Sequence, residues 1–362
     1  MLTGYTVIRG MKDMDKRKLL PDVVRGFAVI LVVLGHSIQE LNGAAFRENA
    51  LYFENIFYRF IYSFHMPLFM IFAGYFSCYA LIKAKDLKEK THALFKKLLT
   101  CLVPVFVWSL LDLIRLFFEA RIKGVGYPYT KAGDFFNAFY NNLWFLWAVA
   151  ILYLLVWLVH VLLHDFWPVY AVIYLALFFI PDSFNLHIYK YMFPFFLAGY
   201  FACMHEDSVK AFYEKRKVLL LSLSLLIFVC LFAFFRTEVF IYVGGYRIFN
   251  AAAYKMLALD IYRTFIGFAG SIFFIILFDL LISFFTRSGK SCFKILKTLG
   301  QNSMGIYIIQ GYVIILCLSK ISDRSGGGVL FVTFGAIVTL FVSSLFTLII
   351  AKVPKLGMIV GK

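Results

Sequence analysis

The chain has 362 residues, 62% of them hydrophobic and only 15% charged, with 36 Lys and Arg against 20 Asp and Glu. A soluble domain is about half apolar and about a quarter charged, so this composition excludes an ordinary soluble fold. The apolar residues fall in blocks of roughly 18 to 25, enough to cross a bilayer core of about 30 Å as helices, and they lack the segments of about ten alternating residues that mark a β-barrel.

In chain order, residues 1–20 are polar and basic and carry no apolar region ahead of a small-residue cleavage site, so the first helix is expected to be a retained span behind a cytoplasmic N-terminal segment. The expected fold is an all-α, polytopic membrane bundle. Its ten helices are placed at 21–41, 55–82, 98–119, 143–163, 166–181, 190–204, 218–236, 261–284, 299–319 and 328–350. They form one transmembrane domain, 21–350, followed by a cytoplasmic tail, 351–362. Pro168, Pro181 and Pro194 flank the short fifth and sixth spans. With a cytoplasmic N-terminus, the inside segments hold 22 of the Lys and Arg and the outside loops 10, which sets both termini inside. The net charge of +16 is thereby explained by topology at an anionic leaflet, with no nucleic acid needed. The six cysteines sit in or beside apolar blocks without a CxxC pair, as fillers rather than a disulfide framework or a metal site.

The first span carries a polar line. Arg25 and His36 are 11 residues apart, within roughly 20° of three full turns, so they share one face about 16 Å apart in rise. Asp22 precedes Arg25 by three residues, and Gln39 and Glu40 follow His36 by three and four, spacings that make helix neighbours. An ion pair anchoring the helix end accounts for Asp22 and Arg25 by itself. His36 lies within the span, where ionisable groups are costly and mark function, and imidazole exchanges protons near neutral pH. A hydrogen-bonded core histidine is the competing explanation. The second span brings Arg59 near its outer end and His65 at a depth within about 10 Å of His36. Pro67 is expected to break its ladder just after His65, and Gly74 to allow close helix packing.

These residues resemble the membrane acyltransferase-3 family: Arg25 and His36 with ten residues between, then FHMPLFMIFAGYF, KKLLTCLVPVF (96–106), NNLWFLWAVAILY (141–153), MFPFFLAGYFAC (192–203) and LGQNSMGIYIIQGYVI (299–314). The branch it looks most like is the sugar O-acetylases of bacterial surface polysaccharides. The resemblance implies a ten-helix core in a bacterial cell membrane that takes an acetyl group from cytoplasmic acetyl-CoA, as co-substrate, and delivers it to a carbohydrate or glycolipid hydroxyl. It implies His36 as the essential histidine and Arg25 as its companion. Where relatives commonly have a histidine, this chain has Gln310.

Acyl transfer needs a base, a stabilised oxyanion and two reactants held together. His36 is the expected base, with Glu40 one turn on to orient it. Arg59, an aromatic donor or a backbone amide would meet the oxyanion, and His65 is the group available to replace the missing histidine. Among the six lysines of 83–97, mostly topology signals, Lys96 and Lys97 beside the third span are the expected phosphate contacts of coenzyme A, together with Arg25. Asp22, Gln39, Trp144, Tyr307 and Gln310 are the expected substrate contacts, Trp144 also serving as a belt residue. Asp112 with Arg115 and Asp260 with Arg263 are expected internal ion pairs, and Asp279 a structural carboxylate. No metal is expected; the membrane itself is a partner, and a homodimer stays open. The rival class is a transporter or flippase of an anionic or glycolipid cargo, which needs neither the Arg25–His36 register nor the FHMPLF segment.

Overall fold

The computed structural model describes residues 2–127, 132–180, 186–246, 253–288 and 292–362, with side chains from Leu19 onward except at 132, 134, 137, 138, 141 and 287; Pro181 lies outside the described residues. In chain order the helices are α1 (Leu2–Glu40), α2 (Ala44–Glu48), α3 (Ile56–Tyr62), α4 (His65–Lys83), α5 (Leu87–Lys123), α6 (Ala132–Asn141), α7 (Trp144–Leu163) and α8 (Trp167–Leu177). They continue as α9 (Leu186–Met204), α10 (Glu206–Phe232), α11 (Ile241–Gly244), α12 (Ala253–Arg287), α13 (Lys294–Gln301), α14 (Ser303–Tyr312), α15 (Ser319–Ser325) and α16 (Val329–Lys352). No strand occurs among the described residues, as expected where no water is present to hydrogen-bond an open sheet edge.

Among the described residues, seven stretches are long and apolar enough to cross a membrane: Leu19–Glu40, Ile56–Lys83, Leu87–Lys123, Trp144–Leu163, Ala253–Thr286, Ser303–Ser325 and Val329–Lys352. The chain is a multi-pass helical membrane protein. The expected spans at 190–204 and 218–236 are helical within α9 and α10, and the one at 166–181 falls on α8, an apolar helix of 11 residues.

The second expected span is not one helix. It is broken at Ser63–Phe64, one turn before Pro67 and ahead of His65. Proline has no N–H and its ring crowds the carbonyl four residues earlier, here that of Ser63, so the interruption falls before the proline rather than after His65. The Ser63 hydroxyl turns back onto the Phe60 carbonyl at 2.7 Å. Asn55 starts α3 by accepting from the amides of Phe57 and Tyr58 at 3.0 and 3.1 Å.

Backbone contacts group the chain into two compact units. The first comprises residues 1–69, 207–237 and 265–348. In it α1 runs against α13 and α14. The approach of α1 to α13 is at backbone distance: a Cβ on Gly26 would sit 1.9 Å from the Leu296 carbonyl oxygen, and one on Gly300 would sit 1.7 Å from that of Asp22. Val29, Val33, Leu299 and Ile306 fill the core beside this crossing. Small residues are what let membrane helices approach so closely.

The second unit comprises residues 70–206, 238–264 and 349–362. Gly74 and Gly199 form a similar crossing of α4 and α9, each facing a carbonyl of the other helix, at 1.9 Å (Phe196) and 1.7 Å (Ile71) from an added Cβ. The Asp112–Arg115 pair is present at 2.8 Å and is joined by Glu119. Asp260 and Arg263 pair at 3.3 Å in full burial, and the Arg263 guanidinium also donates to the Gly245 carbonyl. In the first unit, Asp279 accepts from the Tyr213 hydroxyl at 2.6 Å.

The three-residue corner between α7 and α8 is held by Asp165. Its carboxylate takes His160 Nδ1 at 2.5 Å and the hydroxyls of Tyr170 and Tyr200 at 2.7 and 2.9 Å, while His164 and Asp165 both adopt left-handed backbone. Burial would raise the Asp165 carboxyl, but the hydrogen bonds from His160, Tyr170 and Tyr200 outweigh it and hold it below its ordinary value. A depressed folded-state value adds stability that is present above the ordinary carboxyl range and lost as pH falls through the folded one. Asp165→Asn is therefore expected to cost about 1–3 kcal/mol at neutral pH. Thermal melting of the two proteins should converge below about pH 4; equal melting at neutral pH would contradict the role given to the carboxylate.

Candidate active site

The polar line on α1 is real and is occupied along its whole length by partners within the first unit. At its lower end Asp22 and Arg25 pair at 2.5 Å, and Asp22 also accepts from Gln301 Nε2 at the end of α13 at 2.9 Å. Three turns along, His36 Nδ1 lies 2.6 Å from Gln310 Nε2 on α14. One turn further, Gln39 accepts from the Tyr58 hydroxyl of α3 at 3.2 Å. The stripe is thus read by three other helices, which is what makes its polar groups tolerable inside an apolar bundle.

Glu40 does not orient His36. The nitrogen it would have held is taken by Gln310, and Glu40 is drawn the other way by Arg47, whose Nε lies 3.7 Å from its carboxylate and whose Nη1 donates to its backbone carbonyl at 3.3 Å. Arg47 also binds Asp323 of α15 at 3.0 Å. That hydrogen bond, ahead of the effect of burial, raises the guanidinium above its ordinary value. Beside this group burial lifts the Tyr52 phenol, and the charge of Glu40 adds to the rise. The chain reverses at Gly43, whose φ is 91° and whose backbone N–H donates to Ser322 Oγ of α15 at 3.0 Å.

His65 is buried at the start of α4. Its Nδ1 is 2.7 Å from the Ile61 carbonyl, so the ring donates there, and the Tyr62 ring meets it edge-on at 4.8 Å. His36 is near enough to interact with it electrostatically. Arg59 is committed differently from expectation: its Nε donates to the Phe53 carbonyl at 2.8 Å and braces its own loop, because the chain between them folds into a single turn. Tyr307 is half-buried on the same helix as buried Ser303 and Gln310.

Lys96, Lys97 and Trp144 belong to the second unit. Lys96 is exposed and Lys97 half-buried on α5, and Trp144 at the start of α7 meets Phe145 and Tyr242 edge-on at 5.9 and 6.2 Å. Among the described residues no group of three or more His, Cys, Asp or Glu is gathered to hold a metal.

Sequence reasoning missed Gln301, Tyr58, Arg47 and Asp323. Tyr58 and Arg47 reach the stripe across a chain reversal, 19 and 7 residues from their partners, while Gln301 meets Asp22 and Asp323 meets Arg47 across 279 and 276 residues, which no spacing rule spans.

The chain is thus a helical membrane bundle whose first span carries an arginine and a histidine three turns apart. The chain matches the acyltransferase domain family over residues 20–348 and belongs to it; it is a membrane acyltransferase. It is similar to the nodulation protein NolL of Sinorhizobium fredii (strain NBRC 101917 / NGR234), 26% identical over 316 residues that cover 83% of this chain and 78% of the relative. It is also similar to the nodulation protein NolL of Mesorhizobium japonicum (strain LMG 29417 / CECT 9101 / MAFF 303099), 23% identical over 312 residues, 83% and 77% of the two chains. No solved structure matches the chain.

Proposed function

We propose that the protein transfers an acetyl group from acetyl-CoA, supplied on the cytoplasmic side of a bacterial cell membrane, to a hydroxyl of a carbohydrate or lipid-linked sugar, with His36 as general base. The observation that carries this reading is the side-chain contact of His36: an imidazole within a membrane-spanning helix whose Nδ1 meets the Gln310 amide at 2.6 Å, so that Nε2 is the nitrogen Gln310 does not engage. In the step proposed, the acceptor oxygen attacks the thioester carbon, the O–C bond forms and the C–S bond breaks. His36 takes the hydroxyl proton and returns it to the departing thiolate. Arg25, at the other end of the same stripe, offers positive charge to the phosphates of the donor. Gln39 and Tyr307 supply amide and phenol groups for acceptor hydroxyls.

The test is purified protein in nanodiscs with acetyl-CoA and a panel of oligosaccharides and lipid-linked sugars. Free thiol should appear in equal amount with acetylated acceptor, seen as the mass gain of one acetyl group per transfer. Binding of coenzyme A without transfer to any carbohydrate, or movement of a glycolipid across the bilayer without thiol release, would overturn the reading.

A further inference from the structure

The Gln310 amide lies 2.6 Å from His36 Nδ1 through its nitrogen, while its own oxygen, Oε1, is buried with no hydrogen-bond partner among the described residues. The two orientations of this amide give His36 opposite chemistry. With the amide nitrogen donating, Nδ1 must carry the lone pair, so the ring proton sits on Nε2 and that nitrogen cannot accept another. With the amide turned end for end, its oxygen accepts Nδ1–H and the lone pair moves to Nε2, where a base needs it. The two ends of a primary amide have nearly the same shape, so the turn leaves the packing of α14 against α1 unchanged.

We propose that Gln310 is the positioning residue that sets the tautomer of His36, and that the working enzyme holds the amide oxygen on Nδ1. This rests on the proposed role of His36 as base and extends it to a residue that never receives a proton. The burial of Gln310 makes it suitable: its side chain is 2% exposed, and its amide is what meets Nδ1 of the ring. The turned amide leaves its nitrogen as the buried end without a hydrogen-bond partner among the described residues. The titratable groups near the ring are His65 at the start of α4, Tyr62 at the end of α3 and, one turn along α1, Glu40. His65 is engaged by the Ile61 carbonyl and Glu40 by Arg47, so neither replaces Gln310 at Nδ1.

Two measurements on the full-length protein test this. Nitrogen-15 NMR of histidine-labelled protein in nanodiscs, with the His36 signals assigned by their loss in His36→Asn, should show Nδ1 protonated and Nε2 bare in the neutral ring. Gln310→Leu should give a mixture of tautomers, and its kcat should fall at least about ten-fold with the KM for acetyl-CoA little changed. Gln310→Glu, whose carboxylate accepts Nδ1–H in either orientation, should keep the wild-type tautomer and move the acid limb of the kcat profile to higher pH, since a negative neighbour makes the imidazolium harder to deprotonate. A bare Nδ1 in the wild type, or wild-type kcat and pH profile in both variants, would overturn the proposal. Should Gln310→Leu not fold, Gln310→Glu and the wild-type spectrum decide it. If His36→Ala leaves transfer intact, the proposed function itself has failed. If His36→Ala abolishes transfer and the Gln310 variants match wild type, only this inference has.

Discussion

His36→Ala is expected to lower kcat for acetyl transfer by roughly 10²- to 10⁴-fold, the contribution of a positioned general base, with binding of coenzyme A retained. The physical reason is the absence of a substitute. Glu40 is held by Arg47, and the His65 ring is fixed by the Ile61 carbonyl within a buried turn. Removing the imidazole also takes away the partner of a buried amide, which costs about 1–3 kcal/mol of stability, so thermal melting must be followed alongside the rate. Asp112→Asn alters an ion pair on half-exposed side chains of α5 and serves as the control, with transfer unchanged. A His36→Ala protein that melts near wild type and still acetylates at the wild-type rate would remove His36 from the chemistry.

Gly300→Ala is expected to have the largest effect on folding. The added methyl would lie 1.7 Å from the Asp22 carbonyl oxygen, well inside van der Waals contact, and what it meets is backbone, which cannot rotate away. Gly26→Ala meets the Leu296 carbonyl at 1.9 Å from the other side of the same crossing. Overpacking a core costs about 1–3 kcal/mol and more where nothing yields, so either change should exceed about 3 kcal/mol. Separating the helices would also pull Gln301 from Asp22 and loosen the lower end of the stripe that holds Arg25. Gly311→Ala is the matched control: nothing lies within 4 Å of its would-be Cβ, and a helical glycine replaced by alanine gains about 0.5–1 kcal/mol. Melting temperature and monodispersity in detergent would read all three. Gly300→Ala melting with Gly311→Ala would show that the helices are not packed at backbone distance.

What could be read from the chain and what could not divide by sequence distance. The Asp22–Arg25, Asp112–Arg115 and Asp260–Arg263 pairs and the shared face of Arg25 and His36 were all legible, because 3.6 residues per turn places neighbours three or four apart without reference to anything else. The Glu40–His36 dyad obeyed the same rule and failed, since Arg47 arrives from beyond a reversal at Gly43 and competes for the carboxylate. Arg59 was misjudged for a related reason: its loop folds into a short turn that presents the Phe53 carbonyl. Pro67 was rightly seen as a breaker, but its effect falls on the preceding turn.

The sequence by itself determined that this protein is a helical membrane bundle, where most of its spans lie and which side chains share a face. Hydrocarbon demands satisfied backbone and apolar length, and helical periodicity does the rest. Only the tertiary structure decided that Gln310 meets His36, that Gln301 meets Asp22 and that Asp323 completes the Arg47 pair. Those contacts join residues some 274 to 279 positions apart, and helix packing rather than local geometry brings them together.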